Sequence, residues 1–139
     1  MIETLVDALR AEGGTLAELV AMPEGHAPPP GPPQLAASGP RVAERAAEYE
    51  LLLEMIFEGS LLHYGSARVV RTSDPDLSLL LGDQLYALGL TRLAALGDLE
   101  AVDALATVIS RLAQAHAEGD GKSTETIWAE GARAVGWGS

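Results

Sequence analysis

Proline is confined almost entirely to one stretch of this 139-residue chain, which restricts the folds available to it. Seven of the eight prolines lie within residues 23–40, and the eighth is Pro75. Because proline lacks a backbone N–H and fixes φ, we expect residues 23–40 to be an extended connector, neither helix nor central strand. The chain then divides into short N-terminal helices at 1–22, a Pro-rich connector at 23–40 and a helical part at 41–139.

Outside the connector, apolar residues recur every three to four positions, as on one face of a helix. Hydrophobic residues make up 47% of the chain but aromatic residues only 4%, so the core must consist of Leu, Ala and Val. This composition favours helix over sheet. No segment alternates as a strand would. The sequence predicts an all-α fold, with helices over the segments 2–9, 16–20, 41–64, 75–96, 98–119 and 124–135.

Several helix boundaries carry recognisable capping residues. Thr15 and Glu18 have the spacing of a capping box and predict the start of the second short helix. Asp74 before Pro75 predicts an N-cap followed by proline at the first helical position. Asp98 is expected to cap the next helix in the same way.

Charge and composition exclude several classes of function. The net charge is −11 and Lys122 is the only lysine, so neither nucleic acid nor an anionic membrane surface is an expected partner. The chain has no cysteine and hence no disulfide framework. No apolar run approaches the roughly 18 residues of a membrane span, and the N-terminus does not resemble a signal peptide. We expect a soluble, cytoplasmic protein without a membrane span.

Two polar patterns have both a chemical and a structural interpretation. Glu50, Glu54 and Glu58 lie four residues apart on one helix face, where carboxylates can bind a divalent cation or share a proton. A solvated acidic face is the favoured interpretation. The sequence GDGKST at 119–124 resembles a phosphate loop, but His116 stands where the motif requires glycine and a helix precedes it instead of a strand. A helix end followed by a new helix start is favoured there.

The histidines and one aspartate complete the set of candidates. His26, His63 and His116 do not have the spacing of metal ligands. Asp83 lies inside a Leu-rich helix, where aspartate is a poor helix former and a carboxylate needs a partner or water. A structural ion pair, or exposure beside Gln84 on a minor polar face, is favoured for Asp83 over a functional role.

Two stretches in tandem resemble the trans-isoprenyl diphosphate synthases. The sequence EMIFEGSLLH at 54–63 is similar to the helix that leads into the first Asp-rich motif of that family. The sequence LLLGDQLYALGLTRLAALGD at 79–98 is similar to the family's next helix, and the stretch after it resembles the following one. The resemblance covers about residues 41–120 and implies a truncated, isoprenoid-synthase-like helical bundle.

The departures from the family concern its metal ligands. In the family, the first of these helices ends in two aspartates, with a third one turn later, which hold magnesium against the allylic diphosphate. Here the corresponding residues are Tyr64, Gly65 and Arg68. A phenol, a hydrogen atom and a guanidinium cannot chelate magnesium. The family's Arg-Arg-Gly element and second Asp-rich motif are not recognisable in these 139 residues.

The resemblance therefore implies a subunit without catalytic or metal-binding residues. Some synthases of this family pair a full-length catalytic subunit with a short helical one, and both are needed to make long-chain products such as quinone side chains. We expect this chain to be inactive alone and to bind no cofactor. It would form a hetero-oligomer with a catalytic large subunit that holds the magnesium.

The same resemblance identifies candidates for the partner interface and the product tunnel. Small residues just before the family's aspartates let the growing prenyl chain pass, a role that would fall here to Gly59 and Ser60. Ile56, His63 and Tyr64 complete the candidate set. The alternative hypothesis is a stand-alone helical adaptor that presents its Pro-rich segment to other proteins.

Overall fold

The computed structural model describes residues 2–25 and 28–138, which form an all-α fold as predicted. Two 3₁₀ helices, Pro40–Arg45 and Gly121–Ser123, precede the fourth and seventh α-helices. Over the described ranges, β pairing is limited to an isolated antiparallel bridge between Val20 and Val70. No helix within these ranges is both long and apolar enough to cross a membrane. The α-helices are α1 Ile2–Glu12, α2 Gly14–Leu19, α3 Pro32–Ala37, α4 Ala46–Tyr64, α5 Pro75–Ala95, α6 Leu99–Ala117 and α7 Thr124–Trp137.

Helix α4 lies at the centre of the core and packs most extensively against α5. The two backbones approach closely where Gly59 faces Gly82. A Cβ atom on Gly59 would lie 2.9 Å from the carbonyl oxygen of Gly82 and 3.0 Å from the ring of Tyr86. Glycine is therefore required at residue 59 for this helix contact. The fully buried side chains of the pair include Leu53, Met55, Ile56, Leu85 and Leu93.

The N-terminal helices belong to the same core. Leu5, Leu9 and Leu16 are fully buried, and α1 packs against α2 and α4. The chain after α2 pairs with the segment that follows α4, because Ala21 N donates to Val69 O at 2.8 Å and Arg71 N donates to Leu19 O at 2.9 Å. Residues 2–21 are thus fixed to the helical part by both side-chain packing and backbone hydrogen bonds.

The predicted starts of α5 and α6 are confirmed by their caps. Asp74 Oδ1 accepts hydrogen bonds from the N–H groups of Asp76 at 3.0 Å and Leu77 at 3.3 Å. Asp98 Oδ1 accepts a hydrogen bond from Ala101 N at 3.1 Å. Side-chain oxygens at these positions satisfy N–H groups that have no partner within the helix.

The predicted capping box before α2 is wrong. The N-cap residue is Gly13 and it makes no side-chain cap. Gly13 has a φ of 73° and Gly14 a φ of 66°, both in the left-handed region that favours glycine. The glycines turn the chain between α1 and α2, so Thr15 is already inside the helix.

The prediction that residues 23–40 exclude helix is wrong for Pro32–Ala37, which form α3. Proline is tolerated in the first turn of a helix, where its missing N–H would have had no partner. The side chain of Gln34 accepts a hydrogen bond from Gly31 N at 2.8 Å and helps to start the helix. Pro33 is buried, and α3 packs against α4 and α7.

The helix predicted from Arg41 to Tyr64 is present but begins differently. Residues Pro40–Arg45 form a 3₁₀ helix, and the α-helix starts at Ala46. Pro40 stands at the start of this segment, as is usual for proline in a first helical turn. Val42, on the predicted apolar stripe, is buried as expected.

Candidate functional site

The C-terminal half of α4 carries a buried carboxylate, Glu58, which accepts hydrogen bonds from the backbone of the segment that follows the helix. Glu58 is fully buried. Its carboxylate accepts hydrogen bonds from the backbone N–H groups of Arg68 at 3.2 Å, Val69 at 2.8 Å and Val70 at 3.1 Å. Three backbone donors on one carboxylate fix the path of the segment after α4.

Arg68 completes a three-residue cluster with Glu58 and Glu54. Its Nε donates to Glu58 Oε1 at 3.0 Å, and its Nη1 donates to Glu54 Oε1 at 3.0 Å. The side chains of Glu54 and Glu58 are 3% and 0% exposed, against 16% for Arg68. The guanidinium also lies over the ring of Phe57, 4.9 Å from its centroid. We call Glu54, Glu58 and Arg68 the buried ion cluster.

The buried ion cluster corrects the sequence interpretation of the acidic stripe. A solvated acidic face was the favoured prediction, and it is wrong for Glu54 and Glu58. Glu50 is half-buried and accepts a hydrogen bond from Gln34 at 3.4 Å. One feature of the sequence pointed to burial. The residues on either side of Glu54 and Glu58 along α4 are mostly apolar, so little of the helix surface is available for solvated carboxylates.

The residues that the resemblance aligns with the synthase family's aspartates do not fit magnesium. Arg68 points back toward α4 and forms ion pairs with Glu54 and Glu58, so its positive charge is neutralised within the chain. The ring of Tyr64 stacks on His116 with centroids 4.1 Å apart, and burial, together with the charge of Asp83, raises the pKa of the Tyr64 phenol. Gly65 ends α4 and donates from its N–H to Leu61 O at 2.9 Å. The phenol, the glycine and the guanidinium supply no carboxylate donor.

Over residues 2–25 and 28–138, no group of three or more His, Cys, Asp or Glu side chains is arranged to hold a metal ion. His26 lies outside the described residues. His63 and His116 each lie against Tyr64, with ring centroids at 5.5 Å and 4.1 Å. They belong to an aromatic cluster at the end of the bundle.

The residues predicted to border a product tunnel fall into two groups. Ile56 and Gly59 are buried, and Gly59 packs against Tyr86 of α5. Ser60 is also buried and donates to Phe57 O at 2.7 Å, yet it lines a cavity together with Tyr64. Of the five candidates (His63 is the fifth), Ser60 and Tyr64 line this cavity, and the tunnel role stays a prediction.

Asp83 lies on the surface beside His63. Its side chain is 67% exposed, and its Oδ1 is 3.0 Å from His63 Nε2. The two groups are close, but they are not aligned as donor and acceptor, and His63 Nε2 has no well-directed hydrogen bond from the described residues. Gln84 is exposed as well. The ring of Tyr86 lies 5.1 Å from His63, and burial raises the pKa of its phenol.

The GDGKST sequence forms the turn between α6 and α7. Residues Gly121–Ser123 are a 3₁₀ helix, and Ser123 Oγ donates to Asp120 Oδ2 at 2.6 Å. Lys122 is exposed. A helix precedes the turn, so the segment is built as a connection between helices and lacks the strand of a phosphate loop.

A second polar cluster lies at the other end of α4. Arg41 donates to Asp98 Oδ1 at 3.0 Å and to Val135 O at 2.7 Å, while Tyr49 donates to Asp98 Oδ2 at 2.7 Å. We call Arg41, Tyr49 and Asp98 the capping cluster, because the same aspartate caps α6. Burial and the hydrogen bond to Asp98 raise the pKa of Tyr49 to about 12.

No protein-family model, no curated protein and no solved structure matches this chain. The likeness to isoprenyl diphosphate synthases therefore rests on the sequence motifs alone.

Proposed function

We propose that this chain is the non-catalytic small subunit of a heteromeric polyprenyl diphosphate synthase, with a truncated isoprenoid-synthase-like bundle. It would pack on a catalytic large subunit and influence its activity and product length. The magnesium ions would be held by the partner. This chain would contribute packing surface to the complex, while the charged groups that carry out the reaction would belong to the catalytic subunit.

The observation that carries the proposal is the inward turn of Arg68. In the family, the residue at this position supplies negative charge to the metal ions. Here it is a cation that neutralises carboxylates inside its own subunit, at 3.0 Å from each. Departure of a diphosphate requires its charge to be neutralised by metal ions or cations aimed at the substrate. At the end of α4 the charged side chains pair with one another and do not face a substrate. This supports a structural contribution of the chain to the synthase.

The surface offers an apolar contact for such a partner. Leu79 and Leu80 are neighbours on α5 and are 46% and 65% exposed. Burying a leucine side chain contributes about 1.5–3 kcal/mol, so two adjacent leucines are a substantial contribution to an interface. We place the contact with the catalytic subunit on this outer face of α5.

The test compares a candidate catalytic synthase with and without this chain. Farnesyl diphosphate and isopentenyl diphosphate are supplied, and the rate and product lengths are measured. We expect a higher rate or longer products when the chain is present, and no product from the chain alone. Product from the chain alone, or identical rates and lengths with and without it, would contradict the proposal.

The interface is tested separately by charge insertion. Leu79→Asp combined with Leu80→Asp should abolish co-purification with the synthase, because two buried carboxylates would have no partner. Leu99→Asp is the matched control, since Leu99 is 71% exposed and lies on a different helix. It should leave co-purification intact. Loss in both variants, or in neither, would reject the placement on α5.

The alternative of an adaptor presenting its Pro-rich segment has less support. Pro33 is buried, and α3 packs against two other helices. The α3 part of the segment is built into the core and is therefore not free to enter a partner's groove.

A further inference from the structure

A groove opens between α4 and α7, roofed by residues 30–35. Its volume is about 710 Å³. A second cavity of about 260 Å³ adjoins it. The two spaces share Phe57, Leu61, Thr124 and Trp128 as lining residues, so they lie side by side against the same ring pair.

The groove exists because α4 and α7 do not pack directly along their lengths. Helix α4 packs mainly against α5 and α3, and α7 packs against α3 and α6. The gap between them is spanned by Phe57 and Trp128, whose rings meet edge to face with centroids 5.3 Å apart. Space remains on both sides of this ring pair.

The larger groove is lined mainly by apolar residues, and the smaller cavity has more polar side chains. The groove is bordered mainly by carbon, from Pro30, Pro32, Leu35 and Ala129 in addition to the shared residues. The smaller cavity is lined in addition by the polar side chains of Ser60, Tyr64 and His116. Thr124 Oγ1 and His116 Nε2 are 3.2 Å apart, and no described residue hydrogen-bonds to the Tyr64 hydroxyl. Small-molecule sites commonly combine an apolar cleft of this size with a few polar groups.

Charge selects the class of ligand. The described residues that line the two spaces include no lysine or arginine, and Glu125 is the single carboxylate among them. The whole chain carries a net charge of −11. Arg68, whose guanidinium lies over the Phe57 ring, is already paired with Glu54 and Glu58. An anionic head group in the groove would therefore be desolvated without a lining cation to pair it.

We propose that this groove binds an uncharged, apolar small molecule that carries one carbonyl or hydroxyl oxygen. The apolar body lies between α4 and α7, and the oxygen meets the hydroxyl and imidazole groups at Tyr64, His116 and Thr124. The site is complete within this chain, so the proposal does not rest on the function proposed above.

The test uses two probes of equal chain length on the isolated full chain. Nonan-2-one is uncharged, and nonanoate is its anionic counterpart at pH 7.5. Binding is measured by calorimetry and by the indole N–H resonances, with exposed Trp137 as an internal control for Trp128. We expect nonan-2-one to bind at least about tenfold more tightly than nonanoate and to shift the Trp128 resonance alone.

Two phenylalanine variants locate the binding. Ala129→Phe fills the groove and should weaken nonan-2-one binding by about tenfold or more. Thr126→Phe adds the same ring to an exposed position of α7 and should leave the affinity unchanged. Circular dichroism confirms that both variants fold.

Three results would overturn the proposal. They are equal affinity for the two probes, an unshifted Trp128 resonance, and unchanged binding in Ala129→Phe. Self-association that Ala129→Phe abolishes would assign the groove to a second copy of the chain instead. None of these outcomes depends on a synthase being present.

Discussion

Two arginine–carboxylate clusters hold α4 in place, and they differ in how deeply their charges lie. In the capping cluster, Arg41 and Asp98 are 26% and 13% exposed. In the buried ion cluster, Arg68 meets two carboxylates that are 3% and 0% exposed. The first cluster joins α4, through Tyr49, to the start of α6 and the end of α7. The second joins α4 to the segment after it.

The difference in burial changes what each cluster contributes. Water can solvate Arg41 or Asp98 if the other is removed, so the loss is limited to hydrogen bonds and a helix cap. Without the Arg68 guanidinium, the buried Glu54 carboxylate would have little water and no other donor among the described residues. Breaking a buried pair costs several kcal/mol because an uncompensated charge stays behind. The buried ion cluster should therefore dominate the stability of the α4 end.

The largest expected effect comes from removing the guanidinium. Arg68→Met keeps much of the aliphatic side chain but leaves Glu54 without a partner and Glu58 with backbone donors alone. We expect the free energy of unfolding to fall by about 3–5 kcal/mol, measured by denaturant titration. Arg45→Met is the control, since Arg45 is 61% exposed in a pair with Glu48, and it should cost less than about 1 kcal/mol. Equal losses in the two variants would contradict the distinction between buried and exposed pairs.

Within the buried ion cluster, the two glutamates should differ. Glu58 accepts hydrogen bonds from three backbone N–H groups and from Arg68, whereas Arg68 is the single donor to Glu54 among the described residues. Glu58→Gln should cost about 2–3 kcal/mol and Glu54→Gln about 1 kcal/mol, by the same titration. The reverse order would show that the backbone hydrogen bonds to Glu58 are not the anchor of this segment.

The capping cluster should show a smaller and pH-dependent effect. Burial acts to raise the pKa of Asp98, but hydrogen bonds from Tyr49, Ala101 N and Arg41 outweigh it and lower the pKa below its usual range. The folded state therefore binds the proton less readily than the unfolded chain does. The stabilisation is present above the unfolded pKa of about 4 and is lost as the pH falls through the folded pKa.

Asp98→Asn removes this charge and tests the predicted direction of the pH dependence of stability. We expect it to cost about 1–2 kcal/mol at pH 7, with the difference from the unmodified chain shrinking below about pH 4. Unfolding titrations at several pH values measure it. A difference that grows toward acid pH would contradict the account.

The smallest effect is expected at Asp83, whose carboxylate is 67% exposed beside His63. Asp83→Asn should change the free energy of unfolding by less than about 0.5 kcal/mol. Denaturant titration checks this. A fall in the free energy of unfolding of more than about 2 kcal/mol would show that Asp83 behaves as a buried charge, like the glutamates of the buried ion cluster.

Local patterns in the sequence predicted most of the helices. The apolar spacing of Leu5 and Leu9 marked their buried face, and Asp74 and Asp98 marked the starts of α5 and α6 because a cap depends on residues within one turn. Helix α3 was missed because seven prolines suggested an extended segment. Pro32 and Pro33 lie in the first turn, where proline is compatible with helix.

The buried ion cluster could not be predicted in the same way. Arg68 is 10 residues from Glu58 and 14 from Glu54, so their pairing depends on how the chain returns along α4. The stripe of glutamates was visible, but its spacing alone does not distinguish a solvated face from a buried one. The groove beside Trp128 depends on contacts among three helices and has no local signal at all.

We infer that Arg68, which is paired with Glu54 and Glu58, leaves the end of α4 without a binding site for a metal–diphosphate complex. Titration of the isolated chain with pyrophosphate in the presence of Mg²⁺, followed by calorimetry, tests it most directly. We expect no saturable binding, with or without the Tyr64→Phe substitution. Tight binding that Tyr64→Phe or Arg68→Met abolishes would contradict the claim.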